Sequence, residues 1–157
     1  MNKQCVLILD NIRSVENVGS LFRTAECLGV EQIILVGTTP APLDRFGRER
    51  QDFAKVALGA EKLVPWTHTQ TIEEALESIK KENYEIISLE QDKRAIDIRD
   101  AKAPKKFALV LGNEVDGVSN IALDVSEKII EINIKGEKES LNVSVAGGIA
   151  LFILLNR

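Results

Sequence analysis

Four short, largely apolar runs punctuate the chain, at residues 5–9, 32–36, 85–89 and 107–111. Apolar runs of that length without alternation are the pattern of strands buried on both faces. Between them the period changes. Val18, Leu21, Phe22, Ala25 and Leu28 fall on one helical stripe, with Asn17 expected as the N-cap and Gly29 as the stop. Thr71-Ile72-Glu73-Glu74 matches a capping box, and Ile72, Ala75, Leu76 and Ile79 continue it as an amphipathic helix. Residues 63–66 read as a further brief strand, 37–47 as a loop holding Pro40 and Pro42, and 90–106 as a polar connection. Strands alternating with helices predict an α/β fold, a mostly parallel sheet with helices on both faces.

The pattern is least ordinary at the C-terminus. Residues 129–133 read as an apolar strand, 135–139 as a charged loop with one glycine, and 140–155 as a helix whose first turn is polar. Ser140 or Asn142 can cap that helix by accepting a hydrogen bond from a free backbone N–H, and the N–H groups exposed there favour electron-rich ligand atoms. Gly147 and Gly148 fall mid-helix, where each costs about 1 kcal/mol relative to alanine. Their presence implies that something approaches the backbone closely: a ligand, a partner helix or another segment of the same chain.

Composition narrows the classes. The 157 residues, 45% hydrophobic and 28% charged, predict a soluble globular protein with residues 1–157 forming one domain. The apolar run at 149–155 is too short to span a bilayer and the N-terminus shows no signal-peptide pattern, so a cytoplasmic protein is expected. Cys5 and Cys27 stand alone and His68 is the single histidine, which leaves neither a disulfide framework nor a metal motif; both cysteines are expected in the core. A net charge of -4 argues against nucleic-acid binding through overall charge but leaves a local basic face open. Arg45, Arg48, Arg50 and Lys55 set against Asp44, Glu49 and Asp52 make a charged helix or loop, and Trp66 with His68 reads either as a stacking platform or as rim packing. Arg23 lies off the apolar stripe of its helix, where a solvated arginine is ordinary.

After residues 107–111 comes Gly112-Asn113-Glu114-Val115-Asp116-Gly117-Val118-Ser119, two glycines at the carboxyl end of a buried strand, where α/β proteins place ligands. No G-x-G-x-x-G follows the first strand and no G-x-x-x-x-G-K-S/T occurs, so neither a dinucleotide fingerprint nor a P-loop is supported.

Three polar elements follow strand ends, and together they resemble a known family. Asn11-Ile12-Arg13-Ser14 through Asn17-Val18-Gly19, Arg23-Thr24-Ala25 and Gly29 resembles motif 1 of the SpoU (TrmH-like) branch of the SPOUT RNA 2'-O-ribose methyltransferases. Leu111-Gly112-Asn113-Glu114 with Gly117 resembles motif 2, and Gly136 with Ser140-Leu141-Asn142-Val143-Ser144-Val145-Ala146 resembles motif 3. One position departs: Asn133 stands where the family usually has proline, which bears on loop mobility. The resemblance implies a deep trefoil knot at the C-terminus, with S-adenosylmethionine held against Leu111, Gly112, Glu114, Ile132, Leu141 and Asn142, largely through backbone groups. It implies a homodimer in which Arg23 of one subunit faces the cofactor of the other. Methyl transfer to a ribose 2'-hydroxyl of tRNA or rRNA would be catalysed by Arg23, Ser140 and Asn142, while Asn17 and Glu114 shape their loops. No metal, no membrane and no separate RNA-binding domain are expected. The first rival is a non-catalytic RNA-binding or ribosome-assembly protein of the same fold; a second, from sequence pattern alone, is a small nucleotide-binding or signalling α/β module.

Overall fold

The computed structural model describes residues 2–157. Its centre is a sheet of β1 (Gln4–Asp10), β2 (Gln32–Val36), β3 (Trp66–Thr69), β4 (Glu85–Leu89), β5 (Ile96–Asp97), β6 (Lys106–Gly112) and β7 (Lys128–Glu131), in the spatial order β3-β2-β1-β6-β4-β7-β5. Every neighbouring pair is parallel. A parallel sheet needs cover on both faces, and the side chains of β1 divide accordingly. Cys5, Leu7 and Leu9 face a core built with α1 (Val15–Leu28), α2 (Gln51–Ala57), α3 (Ala60–Leu63) and α6 (Val143–Asn156). Val6 and Ile8 face a second core under α4 (Ile72–Lys81) and α5 (Asn120–Val125). The continuous apolar run thus serves two layers at once. No helix among the described residues is long and apolar enough to cross a membrane.

Several boundaries differ from the sequence expectations for physical reasons. Ser14, not Asn17, caps α1, accepting the Asn17 N–H at 3.2 Å; the helix begins before its apolar stripe because Asn17 is itself buried. Gly29 does end it, in the left-handed region at φ 72°. Residue 63 closes α3, and the brief strand is β3, an edge strand whose His68 Nε2 lies 2.8 Å from Gly37 O while Trp66 packs on the core rim. The last strand stops at Glu131, leaving Ile132 and Asn133 in the following loop. Cys5 is buried, but Cys27 is exposed, because position 27 falls off the apolar stripe of α1. The polar connection after β4 contributes β5.

That short strand shapes the C-terminal third. Leu89 of β4 and Ile96 of β5 both register with Ile130 of β7, so residues 90–95 arch over the end of β7 from one side to the other. Glu90 N–H donates to Ile130 O at 3.0 Å and Ile98 N–H to Glu131 O at 2.9 Å, one on each flank. Beyond the arch, Asn142 caps α6 by accepting from Ser144 N at 2.9 Å and Val145 N at 3.4 Å; Ser140 stays exposed in the preceding loop.

Gly147 explains how α6 reaches the sheet. A Cβ there would sit 2.6 Å from Leu111 Cδ1 and 2.8 Å from Leu21 Cδ2, so the close approach is by β6 and α1 of the same chain. At Gly148 the nearest such atom is Thr24 Cγ2 at 3.7 Å, so packing within the chain does not account for that glycine. Leu111 and Leu21 are themselves enclosed. Gly147→Ala is therefore expected to cost about 1–3 kcal/mol in overpacking, only partly offset by the roughly 1 kcal/mol gain in helix propensity. A lower urea midpoint with unchanged slope checks this.

Candidate functional site

Because all strands run one way, their carboxyl ends gather at one edge of the sheet, and the loops after β4, β6 and β7 surround a cleft there. Its volume is about 590 Å³. Leu111, Gly112, Glu114, Ile132, Leu141 and Asn142 all line it, as does Ser140. The sequence reading missed Glu90 and Gln91. Their position directly after an apolar strand was the available signal, since that strand ends at the same edge.

The loop after β6 is closed on itself. Asn113 and Gly117 exchange backbone hydrogen bonds at 3.0 and 2.9 Å, and Asn113 Oδ1 accepts from the N–H groups of Val115 and Asp116 at 2.8 and 2.9 Å. The closure is so tight that a Cβ on Gly112 would lie 2.1 Å from Val118 N and 2.2 Å from Gly117 C. Backbone atoms cannot step aside as a side-chain tip can. Glu90 Oε2 accepts the Val118 N–H at 2.9 Å, and buried Asp10 accepts Ser119 N–H at 2.9 Å, pinning the loop from two neighbouring strands. On the other wall, Gln91 Nε2 donates to Glu139 O at 2.8 Å, tying the arch to the loop after β7.

The three motif loops meet through one line of side chains. Glu114 accepts from the backbone N–H groups of Arg13 and Ser14, each at 3.1 Å, and from Asn17 Nδ2 at 3.0 Å. Asn17 Oδ1 then accepts from Asn142 Nδ2 at 3.0 Å. An ionised carboxylate only accepts, so it turns the Asn17 amide nitrogen towards itself and the Asn17 oxygen towards Asn142. That in turn aims Asn142 Oδ1 at the N–H groups opening α6. Asn142 is thereby largely committed to holding the helix start, while the Ser140 side chain shows no hydrogen bond among the described residues. Burial alone would raise the Glu114 carboxyl, but the hydrogen bonds from Asn17, Arg13 and Ser14 outweigh it and hold the group below its ordinary value.

Arg23 is the one expected catalytic residue that the chain does not bring to the cleft. It lies six residues beyond Asn17 on α1, which turns it well away at about 100° per residue. It is exposed beside Ser20, Thr24, Cys27, Val56, Gly148 and Phe152. Along α6 this surface continues in Val145, Ile149 and Phe152, which are 50%, 37% and 60% exposed. No cluster of three or more metal-ligating side chains occurs among the described residues.

A model of the SpoU rRNA Methylase family matches residues 4–152. The 23S rRNA (guanosine-2'-O-)-methyltransferase RlmB of Neisseria meningitidis serogroup B is 32% identical over 146 residues, covering 93% of this chain and 56% of that protein. This chain thus spans little more than half the length of that relative. The AdoMet-bound rRNA methyltransferase from Sinorhizobium meliloti superposes with a TM-score of 0.87 over 98% of this chain and 56% of its own, a likeness of fold at 24% identity. The A. aeolicus TrmH/SpoU tRNA modifying enzyme gives 0.82 at 25% identity, covering 97% of this chain and 75% of its own.

The line of side chains makes two measurable predictions. Glu114→Ala and Asn142→Ala, which remove residues that do not touch, should couple by about 0.5–1 kcal/mol in a double-mutant cycle, and the coupling should vanish when Asn17→Ala is the background. A carboxyl depressed on folding contributes stability that is present above its ordinary value and lost as pH falls through the depressed one. Glu114→Gln should therefore flatten the acid limb of the stability profile, with a loss of about 1 kcal/mol at neutral pH because the site is partly open to solvent. Urea titrations over a pH series read both.

Proposed function

The chain belongs to the SpoU rRNA Methylase family, and from that premise we propose that it is an S-adenosylmethionine-dependent RNA methyltransferase acting on a ribose 2'-hydroxyl of tRNA or rRNA. The observation that carries the reading is the convergence of Leu111 to Glu114, Ile132 and Ser140 to Asn142 on one cleft. The residues suit the cofactor. The cleft has a volume typical of small-molecule sites, apolar side chains at Leu111, Ile132 and Leu141, and a glycine at the strand end where a side chain has no room. When bound, S-adenosylmethionine supplies an electrophilic methyl group on a sulfonium. Residues 1–157 are read as one methyltransferase domain, and an RNA substrate of this kind implies work in the cytoplasm.

The remaining chemistry falls to side chains that position the ribose. Ser140, whose hydroxyl is uncommitted, orients the sugar at the cleft mouth, and Asn142 keeps the helix start in place with one amide hydrogen left to share. Arg23 keeps its charge throughout, so its part is to grip a neighbouring phosphate and to offset the negative charge growing on the 2'-oxygen as its proton passes to solvent water. For that it must reach a cleft that its own chain turns it away from. A homodimer joined through the exposed stripe of α6 solves this by presenting Arg23 of one subunit to the cofactor of the other, and it would supply the close contact that Gly148 lacks. The C-terminal trefoil knot belongs to the same reading. Supporting it is the arch of residues 90–95, which joins the two flanks of β7 close to where the chain leaves that strand towards α6, and the seat of α6 back against α1 and β6.

Labelled S-adenosylmethionine incubated with total tRNA and with rRNA, followed by nucleoside analysis, tests the reading. The expected product is a 2'-O-methylnucleoside from one pool, with transfer reduced by roughly 10²–10³ in Arg23→Ala. Mixing Arg23→Ala with Asn142→Ala subunits should restore transfer through one intact site per heterodimer. Cofactor binding without transfer to either RNA would favour the non-catalytic reading, and loss of cofactor binding in the wild type would overturn the proposal.

A further inference from the structure

The hairpin that follows β2 takes no part in the cleft, yet it rises from the same edge of the sheet. Thr39, at its base, accepts the Ile12 N–H at 3.1 Å and lies 2.9 Å from Leu9 O, so the loop leaves alongside the end of β1. Leu43 and Glu49 form an antiparallel bridge, and Arg50 N–H donates to Pro42 O at 3.0 Å. Asp44 folds the tip. Its carboxylate accepts from Phe46 N at 2.8 Å, Arg48 N at 3.0 Å and Arg48 Nε at 2.9 Å, while Gly47, at φ 77°, donates to Asp44 O at 3.0 Å. The result is a rigid turn that holds Phe46 out in solvent, 66% exposed.

Two guanidinium groups attend the ring, Arg45 at 4.7 Å and Arg48 at 4.9 Å from its centre. Arg48 is paired with Asp44, whereas Arg45 makes no ion pair among the described residues. A protein partner would reward a broad apolar surround, but apart from the partly exposed Leu43 at the base of the turn the neighbours here are the charged Asp44, Arg45, Arg48 and Glu49. A π-face with one uncommitted guanidinium, Arg45, and one paired guanidinium, Arg48, beside it matches a nucleobase and its phosphate, because stacking serves any base and guanidinium groups bind phosphate.

We propose that Phe46, flanked by Arg45 and Arg48, is a stacking platform for an unpaired base of the RNA substrate, outside the cleft that receives the methylated nucleotide. This rests on the RNA methyltransferase reading above. Arg45 swings from the ring to a phosphate, and the base takes the face it vacates. Net acidity is no obstacle, since the contact depends on a local pair of cations and one aromatic face.

The test uses the full chain with a fluorescein-labelled RNA stem-loop and a fully paired duplex of the same stem, read by anisotropy. Wild type should prefer the stem-loop, and Phe46→Leu should weaken stem-loop binding by roughly tenfold while changing duplex binding by less than about twofold. Phe46→Trp should keep the affinity and show fluorescence quenching by the stem-loop beyond the Trp66 background of wild type. Arg45→Gln should lower the slope of log affinity against log salt by about one. Labelled S-adenosylmethionine binding and thermal melting of each variant report on folding. Wild-type stem-loop binding by Phe46→Leu, or equal weakening of both RNAs, overturns the platform alone if methyl transfer persists. Absence of RNA binding and of transfer in the wild type removes the platform together with the functional reading.

Discussion

The carboxylate of Glu114 sets the direction of the hydrogen bonds that join the three motif loops. It faces two backbone N–H groups and one side-chain amide, all donors, and its charge leaves the amide of Asn17 one orientation. Everything further along the line inherits that choice: Asn17 presents an oxygen, Asn142 presents a nitrogen to it, and the Asn142 oxygen is freed to cap α6. A neutral side chain in place of Glu114 would allow the amides to turn. The start of α6, and with it the wall of the cleft formed by residues 140–142, would then lose its defined position.

That wall also depends on how α6 is seated. A helix whose apolar side chains point in every direction has no preferred face of its own, so its seat must be decided by shape. Gly147 favours one seat, because a Cβ there would press on the enclosed tips of Leu111 and Leu21. Leu111 is thus shared: it is the last residue but one of β6, beside the cleft, and is part of the surface on which α6 rests. The cleft and the helix seat are one piece of packing. The arch of residues 90–95 closes the third side through Gln91, so the end of the loop that leads into α6 is held at Glu139 and Asn142 by elements far apart in sequence.

The strands were legible in the chain because a parallel sheet covered on both faces demands unbroken apolar runs, and no other element of that length does. The glycines after β6 and the polar start of α6 marked a place for a ligand from pattern alone, but the cleft's cofactor and the set of residues that line it were legible only through motif resemblance. Its walls are made by backbone geometry and by residues such as Gly112, whose significance is the space that a side chain would have filled. Asn17 shows the opposite failure. As the polar residue before an apolar stripe it had the signature of a cap, but its partners, Glu114 and Asn142, are remote in sequence, and no local pattern encodes such a contact. Cys27 and β5 escaped for simpler reasons: one sits a single position off a stripe, and the other has two residues and gains its strand character from β7.

Charge distribution follows the same division between local and global. The chain is acidic overall, yet many of its basic side chains are already engaged: Arg48 with Asp44, Arg50 with Asp52, Arg94 with Asp92 and Asp124, Arg99 with Asp97. Exposed pairs of this kind add little stability, about 0–1 kcal/mol each, so their effect is on where free charge remains. Arg13, Arg23 and Arg45 form no ion pair among the described residues. Arg13 lies at the start of the first motif loop, Arg23 on the surface shared with α6, and Arg45 on the hairpin tip. On the reading proposed above, an RNA backbone would meet these three arginines on separate elements, with exposed lysines such as Lys80, Lys81, Lys93, Lys135 and Lys138 also outside the ion pairs. Phosphate contacts would then depend on how closely the RNA follows that surface, which moves discrimination from total charge to shape.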